Sequence, residues 1–156
     1  MMKIPSDTLD LIYHETKNRL ERQIDSVDSL DTKASNVFIF VSILIGLTFT
    51  HQPIAEPINQ YLFIITNVVL LLSAIIAFFT YNTVAYRLDP DPRKLMQKYG
   101  LKESDEVKKQ MIYNFIESFE TNYKQIRKKA EHINYSMYEL YLGLILLIIN
   151  KLVSII

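Results

Sequence analysis

Three histidines, His14, His51 and His132, are the only imidazoles in the chain, and they fall on three separate segments with no paired spacing. A metal site of the zinc type needs several nitrogen or sulfur ligands at short, defined intervals, and there is no cysteine to complete one. The lack of cysteine also removes disulfides and thiolate chemistry. Gly46, Gly100 and Gly143 are the only glycines and are too scattered to build a phosphate-cradling loop. No serine or threonine stands in a recognisable nucleophile context. These residue types point away from covalent catalysis, so neither an enzyme nor a cofactor is expected. The formal net charge is zero, which gives no whole-chain electrostatic case for a nucleic-acid polymer.

Two other groups could still do chemistry. Arg87, Arg93, Lys94 and Lys98, flanked by Tyr86 and Tyr99, offer cations for phosphate and rings for base stacking. Tyrosines and lysines beside a membrane also occur without any ligand. Lys124, Arg127, Lys128 and Lys129 form a basic cluster suited to anionic lipid headgroups or to a phosphorylated ligand. The second group is polar residues set inside apolar blocks. Thr66, Ser73 and Thr80 recur every seven residues, Ser35 and Ser42 do the same, and Asn36, Asn67 and Asn150 are embedded or nearly so. Such a stripe either lines a watery path or lets helices approach and hydrogen-bond. Asn67 is the most informative of them, because its amide is poorly satisfied facing lipid. Glu139, in the first turn of the last block, is a candidate because an intramembrane carboxylate is costly; it is also near enough to the interface to reach water or a basic neighbour.

The elements that must hold these residues are three apolar blocks, 34–50, 61–82 and 137–156, with Lys151 the only Lys or Arg inside them. Each is close to the ~20 residues a helix needs to cross a ~30 Å hydrocarbon layer, and none shows the polar face of a soluble helix. From Ser6 to Ile45 there is no glycine or proline. Ser6 is the expected N-cap, with Asp7 and Asp10 suiting the positive helix start, and Leu20, Ile24, Val27, Leu30 and Ala34 recur at helical spacing. Pro53 and Pro57 mark a tight connection over 51–60. Pro90 and Pro92 break the chain after the second block, a short helix is predicted over 93–99, and Ser104-Asp105-Glu106 reads as a new helix start. Beyond it Met111, Phe115, Phe119, Ile126, Ala130, Ile133 and Met137 share one face.

The expected fold is therefore an all-α integral membrane protein, three transmembrane helices with long helices extending into the cytoplasm. The basic residues orient it. Lys3, Lys17, Arg19, Arg22 and Lys33 precede the first block, 51–60 holds no Lys or Arg, and 83–136 holds eleven. The positive-inside rule puts residues 1–33 and 83–136 in the cytoplasm, 51–60 outside, and the C-terminus outside. Tyr61, Tyr81, Tyr138 and Tyr141 sit at block ends, where aromatic rings favour the interface. Two amphipathic helices on so small a chain predict a homo-oligomer, with the lipid bilayer as the other partner.

At the mouth of the first block the chain reads Asp31-Thr32-Lys33-Ala34. Asp31, Lys33 and Ala34 resemble the D-x-K-A entry of the Pycsar transmembrane effectors and the broader SLATT-type families of bacterial antiphage proteins. The order of elements is similar over most of the chain, as is the basic and aromatic stretch from Tyr123 to Tyr141; the residue match covers about a dozen positions. The resemblance implies a bacterial inner-membrane effector that responds to a nucleotide second messenger, oligomerises and breaches the membrane. The candidate ligand is a cyclic nucleotide, and, with no separate cyclic-nucleotide domain in the chain, sensing would fall to the helical cytoplasmic part or to another protein. A non-catalytic scaffold that holds a partner through its cytoplasmic helices is the alternative.

Overall fold

The computed structural model describes residues 4–50, 57–81, 85–88 and 92–154. They form four helices in chain order: α1 Ser6–Thr50, α2 Pro57–Thr80, α3 Pro92–Tyr99 and α4 Ser104–Val153. No strand occurs among the described residues. α1, α2 and α4 are each long and apolar enough to cross a membrane. α1 and α4 run without a break through their apolar stretches because neither holds an internal proline, and Gly46 and Gly143 are their only glycines.

The helix ends correct the sequence reading in two places. The carbonyl of Pro5 accepts the Leu9 N–H at 3.0 Å, so Pro5 is the half-in residue and Ser6 already belongs to the first turn. The Ser6 hydroxyl instead donates to Asp105 at 3.3 Å. α2 begins at Pro57, four residues ahead of the expected block, because proline suits a first helical turn where its missing N–H costs nothing. The connection is thus shorter than 51–60; its residues 51–56, with Pro53 and His51, lie outside the described set, as do 89–91 with Pro90. α3 stops at Tyr99: Gly100 N–H bonds the Met96 carbonyl at 3.2 Å, and a Cβ at Gly100 would come within 2.7 Å of that oxygen.

The chain divides into two compact units, Met1–Asp28 with Val84–Arg127, and Ser29–Thr83 with Lys128–Ile156. In the first unit the inward residues of α1 are Leu9, Tyr13, Thr16, Leu20, Gln23 and Val27, and those of α4 are Lys108, Ile112, Phe115, Phe119, Asn122 and Ile126. Both sets step by four and three, the spacing of a coiled-coil seam. Tyr13 packs on Phe115 with ring centroids 5.8 Å apart, Lys108 pairs with Asp10, and Gln23 donates to the Phe119 carbonyl at 3.1 Å. These contacts make α1 and α4 parallel neighbours in this unit.

In the second unit three helices share the same alternation. The seams are Leu30, Ala34, Val37, Val41, Leu44 and Thr48 on α1, then Asn59, Phe63, Thr66, Leu70, Ser73, Ala77 and Thr80 on α2, and Lys129, Ile133, Ser136, Leu140, Gly143 and Leu147 on α4. α2 runs antiparallel to α1, as Phe38 on Phe78 and Phe49 on Phe63 require, and to α4, as Ser73 on Ser136 and Leu70 beside Gly143 require. Val41, Leu70 and Ala77 are almost fully buried at the centre. Many of the outward residues are large and apolar, among them Ile43, Leu47, Ile64, Leu71, Phe78, Ile145 and Ile148.

Candidate functional site

The polar residues of the second unit lie on its inner seams. Ser73 is fully buried and donates to the Ser136 carbonyl at 2.7 Å, while the Ser136 hydroxyl donates to the Ser73 carbonyl at 2.8 Å. The clamp is reciprocal because both residues are short enough to let α2 and α4 approach. One step of seven away, a Cβ on Gly143 would stand 2.5 Å from Leu70 Cδ2. Thr66 and Thr80 are buried and return their protons to the carbonyls of Leu62 and Ile76, each at 2.7 Å.

The Ser73–Ser136 pair sets an antiparallel register that puts Thr80 level with Lys129, Thr66 with Gly143 and Asn59 with Asn150. Successive levels are seven residues, about 10.5 Å, apart, and the set spans about 31 Å, close to a ~30 Å hydrocarbon thickness. Lys129 is 6% exposed and pairs with Asp31, whose carboxylate is 30% exposed. The Asn59 amide oxygen is buried with no hydrogen-bond partner among the described residues.

Of the other stripe residues, Asn67 is half-buried; its amide donates to the Phe63 carbonyl at 2.8 Å and its oxygen accepts from Thr48 at 2.7 Å, tying α2 to α1. Thr48 Oγ1 is also 2.7 Å from the Ile45 carbonyl oxygen, so one hydroxyl faces two acceptors. Ser35 is half-buried, and Ser42 is exposed and bonds back to the Phe38 carbonyl at 2.7 Å. Glu139 is half-buried. The two seven-residue repeats therefore face different ways: that of α2 faces the packed seam, and Ser42 faces outward.

The connector residues belong to the first unit and are held from α4. Asn122, 1% exposed, accepts the Arg87 N–H and donates to the Arg87 carbonyl, both at 2.9 Å. This two-point grip gives an irregular stretch of backbone the partners it would have in a sheet. Arg87 Nη1 meets Glu117 at 2.8 Å. Tyr86 turns its hydroxyl inward, where it is buried. Tyr99 lies under Lys98 and Lys102, whose ammonium groups are 5.3 and 5.7 Å from its ring centre. Arg93 is exposed, and the side chain of Lys94 lies outside the described set. The contacts join Arg87 to α4 and join Lys98 to Tyr99; none of them unites all six residues.

An open groove runs along the first unit between α1 and α4. Leu11, Ile12, Ile116 and Phe119 line it, with Glu15, Arg19 and Glu120 at its rim. It continues past Arg19 and Phe119 to Arg22, Tyr123 and Ile126. The hydrogen bond from Arg19 holds the Glu15 carboxyl below its ordinary range, and the charges of Arg19 and Arg22 add to this. Lys108 is pushed upward by its hydrogen bond to Asp10 and by the charges of Asp10 and Asp105.

Asn122, Lys129 and Ser136 escaped the hydrophobic pattern. That pattern favoured Ala130 and Met137 as inward residues, yet both are half-buried while Lys129 and Ser136 fill the seam. A signal was present: Asn122, Lys129, Ser136, Gly143 and Asn150 repeat every seven residues, as Thr66, Ser73 and Thr80 do. In the motif Asp31-x-Lys33-Ala34, Asp31 carries the ion pair, Ala34 is 1% exposed, and Lys33 is exposed. No protein-family model, curated protein or solved structure matches the chain.

Proposed function

We propose that this chain is a non-catalytic effector of the bacterial inner membrane, which oligomerises and disrupts that membrane when its extramembrane helices respond to a nucleotide second messenger. The observation that carries the reading is the inverted second unit, with Ser73, Ser136, Thr66 and Thr80 inside and large apolar side chains outside. In water that exposed apolar surface would aggregate; in lipid it is solvated. Polar groups held at membrane depth suit a protein that rearranges, because each can re-pair with a group on a neighbour. The excess of Lys and Arg in 1–33 and 83–136 supports a cytoplasmic N-terminus and an outer C-terminus. Arg93, Lys98 and Tyr99 remain the candidate contacts for a cyclic nucleotide, together with Arg87 and Tyr86 of the same connector.

The test is induced expression with and without cyclic nucleotides, following growth and membrane potential. Depolarisation that depends on a nucleotide is the expected result. Unchanged potential with every nucleotide, at normal protein level, overturns the effector reading. The scaffold reading draws on one specific feature, the groove lined by Leu11, Ile12, Ile116 and Phe119, which has the form that receives an amphipathic helix. It expects stable co-purification of a partner and no depolarisation.

A further inference from the structure

The outward faces of the second unit are not alike. From Tyr61 to Phe79 every exposed residue of α2 is aliphatic or aromatic, and the same holds for α4 from Tyr138 to Ile149. α1 differs, because Asn36, Ser42, Gly46 and Thr50 are exposed among its apolar residues. Ser42 and Thr50 bond back to the carbonyls of Phe38 and Leu47, at 2.7 and 2.8 Å. The Asn36 amide has no such bond among the described residues. A Cβ built on Gly46 meets nothing within 4 Å. Asn36, Ile39, Ile43, Gly46 and Thr50 are all exposed and step by three and four, so α1 carries a second seam, facing away from α2 and α4.

We propose that this outer seam pairs with the same seam of a second copy, about a two-fold axis along the bilayer normal. Copies inserted in the same sense present their α1 helices in parallel, and the axis then sets Asn36 against the same residue of the second copy. An amide carries both a donor and an acceptor, so the pair is self-complementary. One asparagine in such a seam selects register and the two-stranded state. Gly46, with Ser42 four residues before it, allows the backbones to approach closely. The charges at the entrance agree. With Asn36 in the seam, Asp28 and Lys33 take the flanking positions five residues apart that meet across a parallel pair, and both are exposed. The lipid-facing surfaces of α2 and α4 offer no comparable complementarity.

The proposal rests on the membrane insertion in the proposed function, not on nucleotide response or toxicity. The chain holds no cysteine, so single cysteines report cleanly. Ile43→Cys on the outer seam and Ile64→Cys on α2, 55% and 57% exposed in the parent, are placed in lipid vesicles and oxidised with copper–phenanthroline. Ile43→Cys gives a covalent dimer at least about fivefold above Ile64→Cys, and adding Asn36→Leu lowers that yield about fivefold, the size of one interhelical amide contact. Equal yields at the two positions, or a yield that Asn36→Leu leaves unchanged, overturn the interface. Alkaline extraction of the same vesicles separates the failures. Release of the chain overturns the membrane reading and this proposal with it, whereas a retained chain without the Ile43→Cys dimer overturns this proposal alone.

Discussion

The two units solve one packing problem with different mixtures of side chains. Both align seams that alternate steps of three and four and both bury large apolar residues, Leu9, Leu20, Val27, Ile112 and Phe115 in the first and Val41, Leu70 and Leu140 in the second, but the second adds Ala34, Ser73, Ala77, Ser136 and Gly143 where its helices approach most closely. Large apolar side chains are driven inward when the alternative is water. Where the surroundings are as apolar as the interior, that drive vanishes, and close backbone approach with hydrogen bonds across helices decides the packing. The outer faces mirror this. The first unit carries ion pairs such as Glu15 with Arg19 and Lys17 with Glu21 on its surface, and the second exposes many Ile, Leu and Phe side chains. The difference teaches that size should be tolerated in opposite senses: truncation harms the first seam, enlargement the second.

The strongest way to break that comparison is Gly143→Leu. Even a Cβ there would stand 2.9 Å from Leu70 Cγ, and Leu70 is fully buried with little room to retreat. We expect a loss of about 3 kcal/mol or more, read as a lower unfolding midpoint in detergent; an unchanged midpoint would mean that α4 does not press on α2. The mirror experiment is Leu20→Ala in the first unit, expected to cost roughly 2–4 kcal/mol through the cavity it leaves. If Leu20→Ala were harmless while Ala34→Leu in the second unit were also harmless, the contrast between the seams would be wrong.

The Asp31–Lys129 pair sharpens the boundary between the two materials. Asp31→Asn strands a buried ammonium, whereas Lys129→Met leaves a carboxylate that water partly reaches. Asp31→Asn should therefore cost about 2–3 kcal/mol, somewhat below the cost of breaking a fully buried pair, and Lys129→Met clearly less. Equal losses would show that the pair is more hydrated than its burial implies. Ser73→Ala removes one arm of a reciprocal clamp and should cost about 0.5–1.5 kcal/mol. Combined with Ser136→Ala it should show non-additivity in a double-mutant cycle, since the two residues serve each other.

The smallest effects belong to the exposed ion pairs of the first unit. Glu15 titrates below its ordinary range because Arg19 hydrogen-bonds the charged form. Its contribution is therefore present above that ordinary range and is lost as pH falls through the lowered value. Lys108 titrates above its ordinary range because of Asp10, so its contribution is present below that range and is lost as pH rises through the raised value. Glu15→Gln should flatten only the acid side of the stability profile, and molar salt should shrink both effects, since screened surface pairs contribute little. A steep loss near neutral pH in the parent would have to come from other groups.

Much of the fold was legible in the residue order. Long apolar stretches without charge specify helices of membrane length, because backbone groups in lipid can pair only within such a segment. Ser104-Asp105-Glu106 marked the start of α4, and Pro92 and Gly100 framed α3, through local chemistry that needs no tertiary contact. Two helix starts differ: that of α1 by one residue, where the first accepting carbonyl decides the cap, and that of α2 by four, where Pro57 opens the helix ahead of the apolar run. The recurrence of Thr66, Ser73 and Thr80 was visible, but its direction was not.

Direction is what the tertiary structure decided. A seven-residue repeat states that residues share a face, and says nothing about which neighbour that face meets. Only the packed helices turn the α2 repeat inward onto Ser136 and leave Ser42 of α1 outside. Only they bury Lys129, because a hydrophobic count places any lysine on the surface and cannot see Asp31 approaching from another helix. Asn122 is the same case: its grip on the Arg87 backbone joins residues 35 apart. Forces acting within a few residues set the helices. Structure chose their partners through hydrogen bonds and ion pairs whose strength depends on burial, a quantity defined only once the chain has folded.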